Sequence, residues 1–222
     1  MARVPRRALG GFAYHVLNRA VRRRAIFLKS GDYAAFESLL CEALDRVPVR
    51  LFSYCLMPNH WHLVVWPTTT GQLSQLMQWL TLTHTCRWHL AHGTTGTGPL
   101  YQGRFKSIPV QSDEHLLRVC RYVERNPLRA NLVDRAERWR WSSLWQRGQE
   151  SHSVRLEMSQ VLQSPEWVDL VNRPQTGGEL SAIQAAIRHG LPLGGREWTR
   201  TTASLMGLSA VARPVGRPPQ QK

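Results

Sequence analysis

Two short stretches of this sequence carry side chains that could do chemistry together: His60-Trp61-His62, and Tyr122 followed four residues on by Asn126. On a strand, residues i and i+2 share a face, so His60 and His62 would stand side by side with Trp61 opposite. Two adjacent imidazoles are the beginning of a divalent-metal site. Trp61 would pack into a helix layer and so fix the strand that carries both ligands. Taken alone, a His-x-His pattern in a strand is more often incidental than functional. Its place just past the tight turn at Pro58-Asn59 favours function, because a strand start at the rim leaves a metal open coordination positions.

A metal site acting on phosphodiesters needs a nucleophile. Of the five tyrosines, Tyr14 and Tyr54 fall in expected strands, Tyr33 in the first turn of a helix and Tyr101 in a loop. Tyr122 sits near the end of an expected helix, and Asn126, at i+4, shares its face. The Asn126 amide oxygen could be a third, oxygen-type ligand. Arg118, Arg121, Arg125 and Arg129 surround the same helix and could bind phosphate. On the local pattern the alternative is equally good: a half-buried helix aromatic followed by an Asn-Pro stop.

The elements that must position these residues follow from periodicity and turn signals. Residues 12–20 alternate as a first strand, and Arg22-Arg23-Arg24 form a basic loop. Asp32 caps a helix to about residue 45. Strands at 49–57 and 60–66 flank Pro58-Asn59 and should pair as a hairpin. A long helix spans about 73–92, a fourth strand 106–110 and a further helix 112–125, ended by Pro127. The order β-α-β-β-α-β-α predicts an α+β, ferredoxin-like split βαβ fold with a central antiparallel sheet. Helices would cover one face and leave the other available. The expected organisation is a domain at 1–145, a helical C-terminal extension at 146–211 and a basic, proline-containing tail at 212–222. Residues 146–153 read as a linker. Helices at about 179–189 and 197–207 could be a DNA-contacting pair.

The chain of 222 residues carries a formal net charge of +14, and only Lys29, Lys106 and Lys222 of its 29 basic residues are lysine. Arginine grips phosphate with a planar fork, so the excess points to nucleic acid as the partner. Arg19, Arg22, Arg23, Arg24, Arg104 and Lys106 are candidates for contact with a DNA backbone. The cysteines, Cys41, Cys55, Cys86 and Cys120, form no CxxC pair, which argues against a zinc knuckle and for reduced thiols. No apolar run reaches the ~18 residues of a membrane span. A cytoplasmic, nucleoid-associated protein without membrane contact is expected.

The segment Tyr54-Cys-Leu-Met-Pro-Asn-His-Trp-His-Leu-Val-Val resembles the metal-binding strand of HUH single-tyrosine transposases. Further strings fit the REP-associated tyrosine transposases of that superfamily. They are Tyr14-His-Val-Leu-Asn-Arg, Ile26-Phe27, Tyr101-Gln-Gly-Arg-Phe-Lys-Ser107, Arg121-Tyr-Val-Glu-Arg-Asn-Pro-Leu-Arg-Ala130 and Trp141-Ser-Ser143. The resemblance spans roughly residues 12–145. It implies Tyr122 as nucleophile, and His60, His62 and Asn126 as ligands of Mg²⁺ or Mn²⁺. Other branches place glutamine where Asn126 stands.

The implied reaction is in-line attack by Tyr122 on a phosphodiester, giving a 5′-phosphotyrosyl intermediate that can be rejoined without ATP. The implied substrate is single-stranded or hairpin DNA of the repetitive palindromic kind, handled by a monomer, with a dimer as the alternative. Two other functions fit the same residues. One is a catalytically silent hairpin-binding protein; the other is a metal-dependent hydrolase that uses water and leaves Tyr122 idle.

Overall fold

The computed structural model describes residues 8–150, 153–157 and 159–208. The expected 212–222 tail lies outside them. Four strands form one sheet: β1 (Ala13–Arg19), β2 (Arg50–Met57), β3 (His60–Trp66) and β4 (Lys106–Val110), in the order β2-β3-β1-β4, with every neighbouring pair antiparallel. Helix α1 (Ser30–Arg46) joins β1 to β2, and α2 (Gln72–Ala91) joins β3 to β4. This is the split βαβ arrangement expected from the order of elements.

Local chemistry sets the ends of these elements. The Asp32 carboxylate accepts from the backbone amides of Leu28 and Lys29 at 2.8 and 3.1 Å, so the cap of α1 is Lys29, three residues earlier than expected. Pro58-Asn59 is the turn between β2 and β3, and register there sets Met57 against His60. Because the side-chain period of a strand is two, this register decides which face receives the histidines.

On the first face, Trp61, Leu63 and Val65 of β3 meet Phe36 and Leu40 of α1 and Leu76 and Leu80 of α2 in one apolar core. Trp61 is fully buried there, as its alternation with the histidines requires. The second face is not left open. It carries Phe52, Cys55, Met57, Val64 and Val110, and that much apolar surface needs a cover. The cover is α3 (Glu114–Glu124), continued by α4 (Asn126–Arg129), with later helices behind it. The one-sided sheet expected from sequence is therefore a sheet clad on both faces.

The chain after β4 is packed throughout its described parts. Helix α5 (Ser143–Arg147) starts before residue 146, and Gln146 is buried with its amide bonded to Val154, so the expected linker begins as packed structure. Two short helices follow, α6 (Gln160–Gln163) and α7 (Pro165–Asn172). Helix α7 opens with a Ser164 cap and Pro165 in its first turn. Helix α8 (Gly177–His189) lies against α3 and β4, with Ile183 and Ala186 buried. Leu193 exchanges backbone hydrogen bonds with Pro109 and Gln111, which covers part of the free edge of β4. Helix α9 (Arg196–Leu205) buries Thr202 and Ala203.

Candidate active site

On β3, His60 lies opposite Arg19 of β1 and Met57 of β2, and His62 lies opposite Leu17 and Cys55. Both imidazoles point to the second face, under α3 and α4. His60 is partly exposed and His62 is buried. Their rings meet edge to face with centroids 5.0 Å apart, and the ring of Tyr122 stands edge to face with His62 at 6.1 Å. His60, His62, Tyr122, Asn126, Arg129 and Arg19 line one pocket of about 260 Å³, closed by Leu17, Met57, Ala130 and Ile187. The structure thus unites the strand pair with the helix-borne tyrosine across about sixty residues of sequence.

The protonation of this cluster is legible from its hydrogen bonds. Asn59 Nδ2 donates to the Arg23 carbonyl at 3.0 Å, which turns Asn59 Oδ1 toward His60. That oxygen can only accept, so His60 Nδ1, 2.6 Å away, carries a hydrogen and Nε2 is left with its lone pair. Burial, with Arg19 and Arg129 adding to it, pushes the His60 pKa down to about 3. His62 is held well below the usual histidine range by burial, then by the neighbouring His60 and His15. Both rings are neutral at neutral pH, the form that ligates metals.

Sequence reasoning missed His15. Its Nε2 lies 2.9 Å from His62 Nδ1, with the two rings stacked at 5.0 Å, and its pKa is pushed down to about 3 by burial, then by Arg129. The tautomer that leaves His62 Nε2 bare has Nδ1 donating to His15, the role an outer-shell partner takes behind a metal-ligating histidine. The signal was available: β1 runs beside β3 in this fold, and His15 shares a strand face with Leu17, which opposes His62.

Asn126 fits less simply. Its Oδ1 accepts a short hydrogen bond from Arg129 Nη2, and its Nδ2 is buried without a partner. The Arg129 guanidinium also lies over the Tyr122 ring, 4.1 Å from its centroid. The two neutral histidines suit a divalent cation, whereas the Asn126 oxygen expected as a third ligand is engaged by Arg129. Among the described residues, no group of three or more His, Cys, Asp or Glu side chains gathers as a metal site.

The remaining candidates divide. Arg19 also borders a second pocket of about 310 Å³ with Arg104 and Lys106, so three of the predicted cations form a basic groove that adjoins Tyr122 through Leu17, Arg19 and Ile187. Lys106 Nζ donates to the Ile187 carbonyl at 2.9 Å, so α8 forms one wall of that groove. Arg22, Arg23 and Arg24 are exposed on the turn that Asn59 anchors beside His60, with left-handed backbone at Arg22 and Arg23 (φ 54° and 58°). Arg118, Arg121 and Arg125 are not brought to the pocket. Arg125 donates to the carbonyls of Val171 and Asn172, and Arg121 to those of Arg173 and Pro174, where cations neutralise the carboxyl end of α7. Arg118 pairs with Glu114 and Glu179.

The fold and the residues it gathers define an α+β protein with a histidine- and tyrosine-lined pocket set in basic surroundings. The family model "Transposase IS200 like" matches residues 9–126, and the chain belongs to that family. It is a DNA-binding transposase, an enzyme of DNA transposition. Two of the solved structures that resemble it follow. One is a REP-associated tyrosine transposase bound to a REP hairpin, at 16% identity and TM-score 0.49, covering 64% of this chain and 82% of that one. The other, from Deinococcus radiodurans R1, is described as a transposase, at 15% identity and TM-score 0.40, covering 60% and 89%. No curated protein matches the chain. No helix among the described residues is long and apolar enough to cross a membrane.

Proposed function

We propose that this transposase cleaves and rejoins single-stranded or hairpin DNA by transesterification, with Tyr122 as nucleophile and a 5′-phosphotyrosyl intermediate. One observation supports it above the others. Of the residues lining the histidine pocket, only Tyr122 carries a hydroxyl, and none carries a thiol, primary amine or carboxylate. The attacking group is then Tyr122 or a water molecule. The hairpin substrate is proposed from the motifs at 54–65, 101–107 and 121–130, which resemble those of REP-associated transposases.

The Tyr122 oxygen forms a bond to phosphorus as the bond from phosphorus to the 3′ oxygen breaks. The phenolic proton is lost to water, and the 3′ oxygen takes one up as it leaves. Reversal by a 3′ hydroxyl restores the diester and frees the tyrosine. Arg19 and Arg129 bind the phosphate, and Arg104, Lys106 and the 22–24 turn track the flanking backbone. His60 and His62 would hold Mg²⁺ or Mn²⁺, with Asn126 as the third ligand once its oxygen is free. Bound there, the cation would polarise the phosphate as a Lewis acid. His15 and Asn59 hold the two ligating rings in orientation.

The test is a labelled hairpin with a single-stranded flank, incubated with Mn²⁺ and resolved on a denaturing gel. A protein–DNA band that is absent with Tyr122→Phe is expected. Free cleaved product without that band would instead assign the chain as a hydrolase, and binding without cleavage would assign a hairpin-binding protein.

A further inference from the structure

The two helices expected to contact DNA as a pair are divided by the structure. Helix α8 serves packing: Ile183 and Ala186 are buried where it meets α3 and β4, and its exposed middle carries only Ser181, Ala182, Gln184 and Ala185. Helix α9 has two distinct faces. Thr202, Ala203 and Met206 are buried, while Arg196, Glu197, Arg200, Thr201, Ser204 and Leu205 are exposed. At 3.6 residues per turn these six form one continuous half of the helix surface. No ion pair among the described residues involves Arg196 or Arg200.

This polar face is held firmly. Gly195 N donates to Gln111 Oε1 at 2.7 Å, just past β4, and the Trp198 ring stands 6.2 Å from that of Phe12. At Gly194 a Cβ would lie 2.5 Å from Trp198 Cε3 and 2.6 Å from Gln111 Oε1, so the close approach there needs glycine. Met206 joins the core of the first face. A helix docked this way loses little freedom when it binds. Its place relative to the basic groove gives it an occupant. The groove passes from Tyr122 by Arg19 to Lys106. From there the chain between Ile187 and Leu193 follows the β4 edge, starting beside Lys106 and ending beside Val110, with Arg188 exposed on the way. Gln111, which holds α9, is about 16 Å of strand beyond Lys106. That is the rise of roughly five base pairs.

Resting on the hairpin function proposed above, we propose that α9 reads the base-paired stem of the hairpin from its major groove, roughly five base pairs above the foot. The single strand keeps the groove from Tyr122 to Lys106, and the stem lies beyond it. A major groove about 12 Å wide admits a helix. Arg196 and Arg200 then donate forked hydrogen bonds to guanine O6 and N7, and Thr201 and Ser204 reach neighbouring base edges. Glu197 decides between bases and backbone. Its carboxylate would repel phosphate, but it can accept from cytosine N4. The exposed Leu205 suits a thymine methyl in the same way.

The experiment binds the full chain to a library of DNA hairpins with a fixed single-stranded flank and a randomised stem, and sequences the bound fraction. The wild-type chain should select base pairs from roughly the fifth above the foot onward. Arg200→Lys keeps the charge but loses the fork, so it should flatten the preference at one base pair. Arg196→Ala/Arg200→Ala should flatten more and weaken the selected hairpin by roughly tenfold or more, as loss of forked base contacts does. Both arginines are exposed, so these variants should melt like the parent. Adduct formation on a stemless single-stranded oligonucleotide should change by less than about twofold. A wild-type chain without stem preference, or a double variant that keeps it, would overturn the reading. So would equal weakening on every stem, which marks a phosphate grip. If the wild-type chain still forms adducts in those cases, the proposed function survives. Stem preference without adducts on any DNA would sink the proposed chemistry and leave α9 as a reader.

Discussion

Two histidine–tyrosine clusters sit back to back across this sheet, and they end differently. On the first face, Trp61 Nε1 donates to Tyr101 Oη at 2.9 Å, and Tyr101 Oη lies 2.6 Å from His84 Nδ1. Indole only donates, and burial holds His84 neutral with a pKa near 3, so the tyrosine proton goes to His84. The chain of bonds is closed and buried. On the second face, His60, His62 and Tyr122 adjoin Arg129 and Asn126, which retain unmet donors, and the group opens on a pocket. The residue types match, so type does not mark a site. What separates the clusters is whether their polar atoms are satisfied within the protein.

The sharpest way to break this contrast is the same substitution on both faces. Tyr122→Phe should lower adduct formation by at least about a thousandfold, with stability changed by under about 1 kcal/mol. Tyr101→Phe should do the reverse. It leaves His84 and Trp61 without a partner at a cost of about 1–3 kcal/mol, and adduct formation per folded molecule should persist. Urea denaturation and the denaturing gel measure the two quantities. Equal loss of activity in both variants would dissolve the distinction.

Closed polar networks also exist on the second face, and one should dominate stability. Glu124, two residues after Tyr122, is fully buried, accepts from Ser53 at 3.0 Å, Ser143 at 2.6 Å and Trp167 Nε1 at 2.7 Å, and pairs with Arg147. It ties α3 to β2, α5 and α7. Glu124→Ala should cost about 3–5 kcal/mol, because the buried Arg147 is left unpaired. A loss under about 1 kcal/mol in urea unfolding would show that these helices are held by apolar contact alone.

Both clusters should respond to acid in the same direction. His15, His60, His62 and His84 all have depressed folded pKa values. Unfolding lets them bind protons below their ordinary value near 6.5, so stability is complete above pH 6.5 and falls as pH drops toward about 3. At pH 5 the linkage amounts to about 2 kcal/mol for each of His15 and His84. A Tm flat from pH 7 to 5 would contradict the buried, neutral state of these rings.

Much of this was legible in the sequence because it rests on short-range rules. Period-two alternation placed Trp61 opposite the histidines, Pro58-Asn59 made the hairpin, and i+4 spacing put Asn126 below Tyr122. Less visible were contacts decided by register and layer order. His15 reaches His62 only because β1 is the neighbour of β3, and α7 is an eight-residue helix too short to show periodicity. The second layer was missed because Phe52, Met57 and Val64 look like ordinary strand residues until their shared face is known. The arginines of α3 and α4 were equivalent in sequence, and packing divided them.

That division gives the mildest test. Arg118 and Arg129 are both arginines of the tyrosine region, but only Arg129 lines the pocket, while Arg118 pairs with Glu114 at 2.9 Å and sits 3.8 Å from Glu179. Its side chain is 40% exposed, so the pair is screened and worth about 0–1 kcal/mol. Arg118→Ala should therefore shift hairpin affinity by less than about twofold and leave the salt dependence of binding unchanged. A residue that grips a phosphate behaves otherwise, because its removal lowers the slope of log affinity against log salt by about one. Arg129→Met should show that loss. If Arg118→Ala also lowers the slope, the DNA path crosses α3, and the groove from Tyr122 past Arg19 to Lys106 is not the whole track.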